Sequence, residues 1–198
     1  MIRSTLIRSS SMRILAKSNL LALSAAVLWA FGTSAFAAAD KSHDHPHGDF
    51  KEAVCVLVPT KDRQCSGTLV LTQKEGYVQV SGEVSGIKPG EHGFHIHMYG
   101  DLRSSDGSSA GGHFNPEGHP HGGPDSKEHH EGDLGNIKAN GMGVAKVDIK
   151  AMGLDLHHVL GRAIVVHADK DDFKDIKSAG PRIGVGVIGL AEVKEMKK

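Results

Sequence analysis

Fourteen histidines occur in the 198 residues, and eight of them fall between Glu91 and Asn136: His92, His95, His97, His113, His119, His121, His129 and His130. Gly and Ser separate them, and aspartates sit among them. An ordinary core does not want this many imidazoles. A neutral imidazole is the commonest protein ligand for copper and zinc. The spacing sharpens this. Gly93-Phe94-His95-Ile96-His97-Met98 alternates strictly. On a strand, His95 and His97 point to one face while Phe94, Ile96 and Met98 point to the other. Their Cα atoms then lie about 6–7 Å apart, so both rings can reach one ion.

That strand needs a frame. After Met98 the alternation stops, and Gly, Ser, Pro and His run on for roughly 35 residues, a length that marks a functional or disordered loop. Metal ligands would order it. On either side the chain reads as short strands. Ala53–Pro59 is a β-branched run, Thr60–Gln64 a polar turn, and Gly67–Thr72 its hairpin partner. Tyr77–Val84 alternates with Val78, Val80 and Val84 inward, and Lys88-Pro89-Gly90 is a turn. Gly143–Ala151 alternates again, with Ala145, Val147 and Ile149 on one face. Gly161–His167 is a strand that ends on a histidine. Ala168–Pro181 is a charged loop, and Ile183–Val193 is the last strand. No long amphipathic helical pattern occurs after the leader. The pattern predicts an all-β sandwich or barrel with an aliphatic core and two long loops.

Residues 1–37 stand apart as a secretory signal peptide. Arg3, Arg8, Arg13 and Lys17 form a basic leader, Leu20–Phe31 is a short apolar run, and Ala35-Phe36-Ala37 is a small-x-small cleavage signal. The run is too short to span a bilayer, so no stable membrane insertion is expected after cleavage. Residues 38–50 form a His-rich tail expected to be disordered. In it His43, His45 and His47 alternate, which fits either metal binding or a solvated segment. Residues 51–198 hold the folded domain. The leader contains no acid, so 23 basic residues fall to 19 against 23 acidic, a formal net of −4. With no basic stripe, nucleic acid is not an expected partner.

The motifs GFHIH (93–97), GGHFNP (111–116), HGGP (121–124), HEGDLGN (130–136), VVHADKDD (165–172), GPR (180–182) and GVIGLA (186–191) occur in one order. Together they make the chain resemble the copper/zinc superoxide dismutase family, of the exported bacterial kind, over about Ala53–Val193. The resemblance implies an eight-stranded Greek-key β-barrel and the dismutation of superoxide to dioxygen and hydrogen peroxide by alternate reduction and oxidation of copper. It implies one copper, held by His95, His97, His113 and His167. It implies one structural zinc, held by His113, His121, His130 and Asp133, with His113 bridging the two. Asp171 matches an aspartate that hydrogen-bonds ligands of both metals, and Arg182 matches the arginine above the copper channel. Periplasmic or secreted localisation is expected, and a homodimer is possible. His92, His119, His129, His157 and His158 match no ligand.

Two departures stand out against the family. Its intramolecular disulfide joins the loop before GGHFNP to the last strand. Here 101–112 contains no Cys, and Val185 occupies the strand position. The His167-to-Arg182 loop is also shorter than in many members. With no disulfide, the metals and Asp171 are expected to hold the loop. The only cysteines, Cys55 and Cys65, flank the first hairpin turn, and both a bridge and a buried free thiol are open. The competing functional reading is a copper/zinc storage protein. Arg182 argues against it, since storage needs no channel arginine.

Overall fold

The computed structural model describes residues 50–192. The predicted signal peptide, His43, His45 and His47 of the tail, and residues 193–198 lie outside them. Eight strands form: β1 (Glu52–Pro59), β2 (Ser66–Lys74), β3 (Tyr77–Ser85), β4 (Gly90–His97), β5 (Asp133–Ala139), β6 (Ala145–Met152), β7 (Ala163–His167) and β8 (Arg182–Leu190). Every pairing is antiparallel, in the order β5-β4-β7-β8-β1-β2-β3-β6. β5 and β6, the two ends of that order, come alongside one another, so the sheet is a nearly closed barrel. The excursions from β3 across to β4 and from β6 across to β7 give it the expected Greek-key path. β7 and β8 are shorter than the alternation predicts. Gly161 turns with positive φ, and β8 ends at Leu190.

Period-two patterning puts Leu57, Leu69, Leu71, Val78, Val80, Val84, Phe94, Ile96, Ile164 and Ile188 into one aliphatic core. β4 is unusual because its other face is also covered: His95 and His97 are as buried as Phe94 and Ile96. The cover is the long loop 98–132 together with loop 168–181. One helical turn, α1 (Leu156–Val159), escaped the sequence reading. Four residues are too few to show a period, although Asp155 caps it by accepting from the His157 N–H at 2.8 Å.

Cys55 and Cys65 are both free and buried. The β1–β2 register puts Cys55 opposite Leu69 and Leu57 opposite Gly67. Cys65 therefore falls level with Pro59, about 13 Å along β1 from Cys55, too far for a bridge. Burial pushes both thiols up to about 12, which makes them poor nucleophiles.

Candidate metal centre

Three elements deliver one cluster of histidines. β4 carries His95 and His97 on its outer face. β7 lies beside β4 and ends on His167. The long loop returns to β4 at an isolated bridge that pairs His97 with His113. Two register shifts occur where ligands are aimed: one between Gly93 and His95 against β5, the other between Val166 and His167 against β8. Such irregularities re-aim side chains at strand ends. The result is a group of His95, His97, His113 and His167, and a second group of His113, His121, His130 and Asp133. In each group the ligand atoms lie within 4.8 Å of one another. His113 belongs to both. All seven residues read from the sequence as ligands are therefore brought together.

Ring orientation follows from what the other nitrogen of each ring contacts. His97 donates Nδ1–H to the Gly111 carbonyl at 2.9 Å, and His167 donates Nδ1–H to the Gly180 carbonyl at 3.0 Å. Their Nε2 atoms face each other at 3.4 Å. His95 is turned the other way. Its Nε2–H goes to Asp171 Oδ2 at 2.7 Å, leaving Nδ1 toward the cluster. Among the described residues, His95 Nδ1 is the one buried side-chain nitrogen or oxygen with no hydrogen-bond partner. A buried polar atom left unmet costs about 1–3 kcal/mol, and a metal ion at the cluster would meet it. In the second group the Nδ1 atoms of His113, His121 and His130 lie 2.7, 3.1 and 3.2 Å from the Asp133 carboxylate.

Electrostatics prepare both groups for cations. Burial is the main reason that His95, His97 and His167 sit below the ordinary histidine value, His167 at about 3. These rings are neutral near pH 7 and keep their lone pairs. Burial alone would raise Asp133, but bonds from His113 and the Gly122 N–H outweigh it and hold the carboxyl at about 2. Asp171 behaves alike. Donation from His95, His121 and the Phe173 N–H holds it well below the usual carboxylate range despite burial. Four imidazoles suit copper in both oxidation states. Three imidazoles and a carboxylate suit tetrahedral zinc. The donor sets fit two different ions.

Asp171 ties the groups together. One oxygen takes His95, and the other takes His121 Nε2 at 3.0 Å. Asn136 on β5 pins its backbone from both sides, accepting from the Asp171 N–H at 2.8 Å and donating to its carbonyl at 2.9 Å. Asn136 closes the HEGDLGN motif, yet the sequence reading gave it no task. His92, expected to be structural or exposed rather than a ligand, is structural. It is buried, with Nδ1 2.8 Å from the His167 carbonyl and Nε2 2.8 Å from the Lys88 carbonyl. It clamps the end of β7 to the β3–β4 turn. Its place in the His-x-x-His-x-His run was the available signal. His119 and His129 are half-buried on the outside of the loop, and His157 and His158 are exposed.

Besides the expected metals and Asp171, contacts within the protein grip the segment 101–112. The Arg182 guanidinium donates to the Gly107 carbonyl and, at 2.5 Å, to the Gly111 carbonyl, the oxygen that also receives His97. Val185, at the position where the family's disulfide would start, packs with Ala110, Ala163 and Val165 in a small cluster outside the barrel. An apolar contact and an arginine fork stand in for the missing bridge.

Residues 65–188 match the family model described as copper/zinc superoxide dismutase (SODC). Over 164 residues the chain is 41% identical to superoxide dismutase (Cu-Zn) 3 of Arabidopsis thaliana, an alignment that covers 77% of this chain and 98% of the relative.

Proposed function

The chain belongs to the copper/zinc superoxide dismutase family, and from that premise we propose which of its residues perform the reaction and where it takes place. The protein dismutes superoxide to dioxygen and hydrogen peroxide, with copper and zinc as cofactors. Bound copper supplies a one-electron couple, and bound zinc supplies fixed charge without redox change. His95, His97, His113 and His167 would hold the copper, and His113, His121, His130 and Asp133 would hold the zinc. The observation that carries this reading is the membership of His113 in both groups.

The remaining residues orient and feed the site. Asp171 fixes the rings of His95 and His121, so one copper ligand and one zinc ligand move together. Arg182 supplies fixed positive charge for the anionic substrate, held by its fork to Gly107 and Gly111. His113, with Nδ1 turned to the zinc group, can hold and deliver a proton at Nε2. Protein loaded with one copper and one zinc should clear superoxide in stopped-flow assays, and His113→Ala should abolish most of that rate. Full turnover in His113→Ala would overturn the bridging assignment.

The protein is exported to the periplasm, or secreted, with the leader 1–37 removed; the basic leader, apolar run and Ala35-Phe36-Ala37 support this. Mass spectrometry of the mature protein tests it, with an N-terminus at Ala38 expected. A homodimer is supported by Val56 and Val58, apolar and exposed on one face of β1. Sedimentation should show a dimer that Val56→Lys dissociates, and a monomeric wild type would reject it.

A further inference from the structure

A second group of histidines lies outside both clusters and takes no part in the reaction. His119, His129, His158, Glu117 and Glu131 line one surface cavity of about 330 Å³. Two of the histidines already face carboxylates: His119 Nδ1 is 3.3 Å from Glu117 Oε2, and His158 Nδ1 is 3.5 Å from Glu131 Oε1. The third has its tautomer set. His129 donates Nδ1–H to the His130 carbonyl at 2.7 Å, so Nε2 carries the lone pair. A histidine whose far nitrogen is fixed by a carbonyl is the usual form of a metal ligand.

The backbones beneath these side chains are fixed by specific bonds. Asn115 accepts from the His119 N–H at 3.0 Å and donates to its carbonyl at 2.8 Å. Arg162 Nε donates to the His158 carbonyl at 2.7 Å. The side chains of His158 and Glu117, 63% and 70% exposed, are free to turn toward the ring of His129. With the histidines neutral, two glutamates against the single Lys127 leave the lining negative. Imidazole nitrogens joined by carboxylate oxygen suit divalent ions late in the first row, copper above zinc.

We propose that this cavity is a second, exchangeable site for Cu²⁺ or Zn²⁺, held by His119, His129 and His158 with oxygen from Glu131 or Glu117. It differs in kind from the inner groups. There the ligand atoms already converge; here they converge by side-chain rotation, so binding is weaker and faster to exchange. His119, His129 and Glu131 share the loop that carries His121 and His130. An ion captured here is held within two residues of the proposed zinc ligands.

The test adds Cu²⁺ to the full chain with its inner copper and zinc already loaded. Equilibrium dialysis counts bound metal, and electron paramagnetic resonance reports nitrogen coordination. Wild type should take up one copper more than His119→Ala/His158→Ala, with a distinct nitrogen-coordinated signal that the double variant lacks. Affinity for that ion should fall by about tenfold or more, the scale on which even outer partners of a metal matter. His158→Ala alone, at an exposed side chain, should weaken the same ion and guards against a folding defect in the double variant. Copper held by the His43, His45 and His47 tail would be common to all variants and cancels. Equal uptake by wild type and both variants would overturn the proposal.

Discussion

At the scale of single residues, the proposed site divides between side chains that would hold ions and one that would meet the substrate. His113 faces the Asp133 group through Nδ1 at 2.7 Å, and it also belongs to the His95, His97 and His167 group. Its replacement by Ala should uncouple the two metals and cut turnover by about a hundredfold or more, the range in which loss of a proton-transfer group falls. Metal content measured alongside the rate distinguishes lost chemistry from lost ions. Arg182 has an observed task as tether and a proposed one as charge, and two variants separate them. Arg182→Glu should lower kcat/KM by about tenfold, with the loss greatest at low ionic strength; electrostatic steering is a property for which this family is a standard example. Arg182→Lys keeps the charge but loses the double donation to Gly107 and Gly111. It should retain the salt dependence of the wild type. A flat salt response in all three proteins would reject steering by this residue.

Elements decide how the long loop is held. Val185 on β8 is buried against Ala110, at the base of the segment that Arg182 also grips. Val185→Ala should cost about 2 kcal/mol through lost burial and a residual cavity, read as a shift of the urea midpoint. Hydrogen exchange of the metal-loaded and chelated protein then tests the tether. Chelation should loosen the neighbourhood of His113 and His121 first. Amides that are bonded independently of metal, such as Tyr99 N–H to the Ala110 carbonyl at 3.0 Å, should stay protected until Val185 or Arg182 is changed. Protection over 101–112 that collapses on chelation alone would show that the metals are the tether after all. β8 is constrained on its inner side too. A Cβ on Gly184 would fall on the Cys65 sulfur, and one on Gly186 would lie 2.8 Å from the Cys55 sulfur. The free thiols thus act as packing groups that only glycine can face.

For the molecule as a whole, the metals and the fold are linked through protons. In the metal-free protein His97 and His167 are buried and neutral, His167 down to about 3, against an ordinary value of 6.5. An unfolded chain takes up those protons near 6.5. Between that pH and about 3 the unfolded state therefore binds more protons, and stability falls as the pH falls. Urea unfolding of the chelated protein should show a lower midpoint at pH 4.5 than at pH 7. The loaded protein should also release metal on acidification, because protons and metal compete for the same nitrogens. A midpoint independent of pH across that window would contradict the buried neutral state of these rings.

Much of this was legible in the sequence because it is encoded locally. Alternation of apolar residues gives strands, since successive side chains of a strand point to opposite faces. The same rule puts His95 and His97 on one face, and the short step from His130 to Asp133 brings those two within reach of each other. Residue type identifies the ions, because imidazole and carboxylate are what copper and zinc take. What tertiary structure alone decided depends on strand order. His167 meets His97 because β7 is inserted between β4 and β8, a neighbour relation that no local pattern contains. Asp171 could be matched to a motif, but its span from His95 to His121 exists only once loop 168–181 folds over β4. The clamp made by His92, the separation of Cys55 from Cys65, and the Val185–Ala110 contact in place of a disulfide are of the same kind. Each rests on which distant segments become neighbours, and that is set by closure of the barrel as a whole.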